Sequence, residues 1–171
     1  DAALQAKEIA AGLDKPLIVQ YFVWLFQLLQ GNLGYSMKSY EPVSAMIGSH
    51  IGPTLLLMGA SLALSLLIAV PAGIYSAVKQ YSKGDYAVVT ASFIGSSIPS
   101  FFLALILIYI FTVKLGILPS GGMNTLGMDG SVADTIRHMV LPVTVLAVSL
   151  AGSNIRYIRS SFLEILQQDY L

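Results

Sequence analysis

Residues 51–78 read IGPTLLLMGASLALSLLIAVPAGIYSAV, 28 consecutive positions without a charged side chain. A helix rises about 1.5 Å per residue, so about 20 such residues cross the hydrocarbon core of a bilayer, and this run is longer than that. Residues 86–113, YAVVTASFIGSSIPSFFLALILIYIFTV, form a second charge-free run of 28 positions. A charge at the bilayer centre costs about 2.5–3.5 kcal/mol on insertion scales, so the gaps between charges mark the spans. A third gap, residues 139–155, holds 17 positions and sits at the lower edge of the spanning range. The sequence thus predicts an all-α, polytopic membrane protein with transmembrane helices at about 53–78, 87–113 and 139–156.

Composition points the same way. Of 171 residues, 56% are apolar and only 11% charged, where a soluble domain carries about 25% charged residues. Nine Lys and Arg balance nine Asp and Glu, so there is no basic surplus to attract nucleic acid. The absence of cysteine excludes disulfide frameworks, thiolate zinc sites and thiol catalysis. Neither a His-Glu-x-x-His spacing nor a Gly-x-x-x-x-Gly-Lys-Ser/Thr loop occurs, so no metal, cofactor or nucleotide site of those types is expected in the chain.

Residues 1–50 read as an external interfacial segment. The chain starts at Asp1 without a methionine or a signal-peptide pattern, so it is expected to be a piece of a longer protein. Pro16 to Gln30 is apolar but reaches only about 22 Å as a helix, too short to cross. With Gln20, Gln27 and Gln30 on one side, Ile18, Phe22, Leu25 and Leu29 on the other, and Trp24 as a headgroup anchor, it predicts an amphipathic helix. That helix lies on the interface or packs on the bundle, and Gly31 ends it. A second short helix is expected from Pro42 to about His50, before Pro53 opens the first span. Between the second and third spans, Ser131 and Asp134 have the spacing of a capping box and predict a short helix leading into the third span.

Lys79, Lys83, Arg156 and Arg159 fall on one side of the spans, Lys38, Lys114 and Arg137 on the other. The clustering of the first four at helix ends places that side in the cytoplasm, so the chain begins outside and ends inside.

Within the three spans no ionisable group sits near the midplane, so an ion gradient has no visible point of coupling and the energy for any transport enters elsewhere. Small residues recur every four positions, at Ser61, Ser65, Ala69, Gly73 and Ala77 in the first span and at Ser92, Ser96 and Ser100 in the second. Such stripes chiefly let helix backbones approach. The functional alternative is a hydroxyl-lined translocation path at Ser96, Ser97 and Ser100. Beside them, Pro99 frees a carbonyl four residues earlier and permits a bend. An intramembrane serine nucleophile at Gly95-Ser96-Ser97 would need a base within reach. His50 and His138 flank spans at the external face, about 15 Å away by helix rise, so no enzyme is expected.

Beyond the third span the helix continues. Ile155, Ile158, Phe162, Ile165 and Leu166 form an apolar face, with Arg156, Arg159, Ser160, Glu164 and Gln167 around the rest. Such an amphipathic extension docks on a partner or packs on its own protein.

From about Gly12 to Leu171 the sequence resembles the permease subunits of bacterial dipeptide, oligopeptide and nickel ABC importers. The matching stretches are Gly12 to Leu17 with Gln20-Tyr21, Gly31 to Ser36, Pro53 to Leu55, Ser97 to Phe101, Leu115 to Pro119 and His138 to Pro142. They end with Arg156 to Tyr170, RYIRSSFLEILQQDY. Each is short, and their order and spacing carry the likeness. The resemblance implies a type I ABC importer transmembrane domain in the bacterial inner membrane, with one span before Asp1 and two after Leu171. It also implies a second permease subunit, two ATP-binding subunits and an extracytoplasmic substrate-binding protein as partners. Glu164, Asp169 and Tyr170 match the leading edge of the family's cytoplasmic coupling loop, residues 157–171 here, whose Ala-rich, Gly-containing centre would follow Tyr170. A secondary transporter or channel subunit not driven by ATP is the alternative.

Overall fold

The computed structural model describes residues 15–127 and 131–167. Their regular elements are all helical, with no named strand among them. The helices are α1 (Leu17–Leu29), α2 (Val43–Val78), α3 (Lys83–Ser97), α4 (Ser100–Leu107) and α5 (Val132–Leu166), and a π-helical segment, Ile108–Lys114, extends α4. Two units cluster separately, with the boundary at Gly52 and Pro53.

In the first unit, α1 spans 13 residues and buries none of them. Gly31 ends it in the left-handed region at φ +85°, which a residue with a Cβ adopts only at a cost. This lets Asn32 N–H reach back to the Gln27 carbonyl at 2.9 Å. The following loop closes on itself: Ser36 N–H donates to Glu41 O at 2.9 Å and Val43 N–H to Gly34 O at 3.0 Å.

The short helix expected from Pro42 to His50 is not separate. It is the start of α2, whose 36 residues run through Pro53 and Pro71. Each proline forfeits one i to i−4 hydrogen bond, a loss that apolar helices absorb where neighbouring groups satisfy the freed carbonyl. Likewise the short helix expected after Ser131 and the third span form one helix, the 35-residue α5. Ser131 caps it, its Oγ accepting from Asp134 N–H at 3.4 Å.

By length and composition, α2 and α5 can each cross a membrane. The second apolar run departs from the single rod expected at 87–113: Lys83–Ser97 and Ser100–Lys114 meet at 93°. Ile98, at ψ 122°, is extended, and Pro99 N-caps α4 at φ −57°. A residue before proline avoids the helical region, so the Ile98-Pro99 pair ends one helix and starts the next. Each arm has 15 residues, about 22 Å, so neither crosses alone, and the pair makes a third span only if taken together.

α3 packs along α5, and α4 packs on it beyond the bend. Gly152 makes the first contact close: a Cβ there would lie 2.5 Å from the Ser92 carbonyl oxygen. On α2 the four-residue stripe is buried at every member, Ser61, Ser65, Ala69, Gly73 and Ala77. A Cβ at Gly73 would meet Ile158 Cγ2 at 2.8 Å and the Ile155 carbonyl at 3.1 Å, so this stripe serves helix packing.

Candidate functional site

Ser96 and Ser97 close α3, Pro99 caps α4 and Ser100 is its first residue, and all four are exposed. The 93° turn separates what a straight helix would have aligned. Ser92 and Ser96 stay together on α3, while Ser100 faces a cavity of about 500 Å³. Phe101, Ala104, Ile108, Leu141 and Val145 make most of its wall apolar, and Ser100, Ser120 and His138 contribute the polar groups. The size and mix suit a small-solute pocket.

One wall of the cavity is held rigidly. His138 Nδ1 is 2.9 Å from the Gly121 carbonyl. Asp134, one turn earlier on α5, accepts from Thr125 N–H at 2.6 Å and from Thr125 Oγ1 at 2.9 Å. Asp134 and His138 are both buried. A carboxylate that takes two donors from one residue fixes that residue closely, so the 119–125 segment is tied to the start of α5.

Two hydroxyls of the second stripe, those of Ser92 and Ser96, are occupied. Ser92 Oγ donates to Val89 O at 2.7 Å, and Ser96 Oγ donates to Ser92 O at 3.0 Å. Arg156 adds a contact that the sequence did not suggest: its Nη1 donates to Ser92 O at 3.1 Å and to Ser96 Oγ at 3.0 Å. Its guanidinium carbon lies 4.8 Å from the centroid of the Phe93 ring. A cation therefore stands against the proposed hydroxyl path.

A second arginine locks the opposite end of α3. Arg159 donates from Nε to Asp85 Oδ1 at 2.9 Å and from Nη2 to Asp85 Oδ2 at 3.0 Å, and Nε also reaches Ser76 Oγ at 3.1 Å. Ser76 Oγ itself donates to Asp85 Oδ1, and Tyr81 N–H donates to Oδ2 at 3.0 Å. Asp85 is 2% exposed and lies just ahead of the charge-free run 86–113. The two bonds from Arg159, with those from Ser76 and Tyr81, give both carboxylate oxygens partners in that buried setting. Tyr81 sits at φ 62°, a conformation that disfavours a side chain, and its bond to Asp85 helps to keep it there. One carboxylate thus joins the end of α2, the tight turn after it, the start of α3 and the late part of α5. Two residues before Arg156, Asn154 Nδ2 donates to Ser65 Oγ at 3.1 Å and ties α5 to α2.

Of the three coupling candidates, Glu164 lies in the last turn of α5, exposed. Asp169 and Tyr170 lie outside the described residues. The sequence reading uses Arg156 and Arg159 for orientation, for the polar side of the amphipathic extension and in the family likeness, assigns them no partner, and passes over Asp85. The available signal was a lone acid next to a turn, three residues after a serine cap, in a chain with few charges to pair it.

Residues 69–171 match the family described as the binding-protein-dependent transport system inner membrane component. A Brucella ovis protein whose name describes a peptide permease is 48% identical across 99% of this chain and 54% of its own length. An oligopeptide transport system permease protein of Bacillus subtilis is 44% identical across 94% of this chain and 51% of its own. A glutathione transport system permease protein of Pectobacterium atrosepticum is 38% identical across 94% and 49%. The chain thus spans about half the length of the curated relatives it matches. With more than half of its residues inside the matched region, the chain belongs to the inner membrane components of binding-protein-dependent transport systems.

Proposed function

We propose that this chain is part of a permease subunit that moves peptides, or a related small solute such as nickel, through the bacterial inner membrane, driven by ATP hydrolysis on a separate subunit. The family match over residues 69–171 carries this reading, because it takes in the broken helix, the cavity and the late part of α5 together. Ser96, Ser97, Pro99 and Ser100 line the path where the helix turns by 93°. α2, the bent pair and α5 act as the spans, residues 1–50 lie outside, and the chain ends in the cytoplasm. Glu164, Asp169 and Tyr170 lead into the loop that meets the ATPase. The partners are a second permease, two ATP-binding subunits and an external binding protein. The permease itself does no covalent chemistry: ATP binding biases one of two access states, and rigid motion transmits that bias.

The test is uptake of a labelled oligopeptide into vesicles carrying the complete transporter. Uptake is expected to require hydrolysable ATP and to be indifferent to ionophores. Uptake that persists with a non-hydrolysable analogue and collapses with an ionophore would replace the reading with an ion-coupled transporter.

A further inference from the structure

Arg156 and Arg159, in the late part of α5, stand in opposite electrostatic situations only three residues apart. Arg159 has its charge neutralised by Asp85, at 2.9 Å. Arg156 has no carboxylate partner among the described residues. Its Nη1 is taken up by the Ser92 carbonyl and the Ser96 hydroxyl, and Phe93 covers its face. A guanidinium carries five N–H donors, so the Nε and Nη2 edge has no partner among the described residues. That edge has the fork geometry that receives a carboxylate through two parallel hydrogen bonds. The group is held in place by three contacts, half-buried, uncompensated in charge, and in contact with Ser96. An unpaired cation is costly in a poorly hydrated setting, and a passing anion would relieve that cost.

We propose that Arg156 is an anion subsite of the translocation path, taking a carboxylate of the transported solute on its Nε and Nη2 edge while Ser92, Ser96 and Phe93 hold the rest of the group. The inference rests on the proposed path through Ser96 and deepens it: the favoured solute carries a free carboxylate, as a peptide C-terminus does. Three anchors aim the guanidinium, so its selectivity comes from the fork as well as from the charge.

The complete transporter in phosphatidylcholine vesicles, without binding protein, is photo-crosslinked to a tripeptide bearing a benzophenone side chain, made once as the C-terminal acid and once as the amide. The wild type is expected to favour the acid about tenfold, the size of one charge-assisted pair. R156Q is expected to bring the ratio near one, and R156K to leave an intermediate ratio. The ratio is read within each protein, so loss of folded protein lowers both yields and leaves it unchanged. No acid preference in the wild type, no crosslink at all, or a preference that survives both substitutions overturns the proposal. A ratio that falls to one when phosphatidylglycerol is added would make a lipid phosphate the occupant and overturn it as well. ATP-driven uptake is followed in the same vesicles once binding protein is supplied. Uptake without acid preference defeats the subsite alone, and acid preference without ATP-driven uptake defeats the importer reading alone.

Discussion

Arg159 and Asp85, 74 positions apart in the chain, meet through two parallel hydrogen bonds of 2.9 and 3.0 Å, with Asp85 almost fully buried. Removing one partner of such a pair strands the other without its counter-charge. D85N and R159Q are therefore each expected to lower stability on the order of 3 kcal/mol, read by thermal unfolding of the complete permease in detergent. The exchange D85R with R159D restores part of the loss if the charge pair dominates. Wild-type stability in either single variant would show that the pair contributes little.

The crossing of α3 and α5 depends on the missing side chain at position 152. A Cβ there would meet the Ser92 backbone at 2.5 Å, and backbone, unlike a flexible side-chain tip, cannot rotate away. G152A is expected to destabilise by about 1–3 kcal/mol. G59A, where nothing lies within 4 Å, is expected to be neutral or to stabilise by up to about 1 kcal/mol. Chemical denaturation of the two variants side by side checks the contrast.

The path assignment makes a prediction about access. The described stretch contains no native cysteine, so single cysteines at 96, 97 and 100 in a cysteine-free transporter report locally. All three are expected to react with aqueous thiol reagents, and at least one should change its rate by severalfold or more when ATP is added. Three positions that stay unreactive throughout the cycle would remove them from the path. P99A returns a backbone N–H and relaxes the restriction on Ile98. It is expected to slow uptake at least severalfold while leaving the amount of folded protein unchanged.

Coupling is tested further along the chain. Replacing Asp169 and Tyr170 together in the full-length parent is expected to weaken ATPase association, measured by co-purification, and to cut uptake in parallel. Unchanged uptake with both replaced would take that role away from them.

The helical class and the long rods were legible because their cause is local: an uncharged run long enough to cross lipid is visible residue by residue. Helix boundaries were less so. Pro42 and Ser131 read as helix starts, and α2 and α5 do begin just after them, but Pro53 reads as a divider and α2 passes through it, and the helix that starts after Ser131 does not pause before the third span. Stop signals of this kind are weak where apolar faces reward continuation on both sides. Pro99 was read as a point of weakness, but its 93° consequence was not, since the angle depends on α3 and α4 each finding contact with α5. The Asp85 and Arg156 contacts were illegible for a different reason. The bonds from Arg156 to Ser92 and Ser96 and from Arg159 to Asp85 pair residues 60 to 74 positions apart, and no spacing rule reaches that far.

α5 is fastened at three heights: to Thr125 through Asp134, to Ser65 through Asn154, and to Asp85 through Arg159. Its 35 residues form one continuous helix of about 52 Å. A strut pinned in this way has little freedom to slide on its own. A shove delivered to its C-terminal tip would have to carry the α2–α3 corner with it and arrive undiminished at the far mouth of the pocket, the way a pushrod works a valve at a distance.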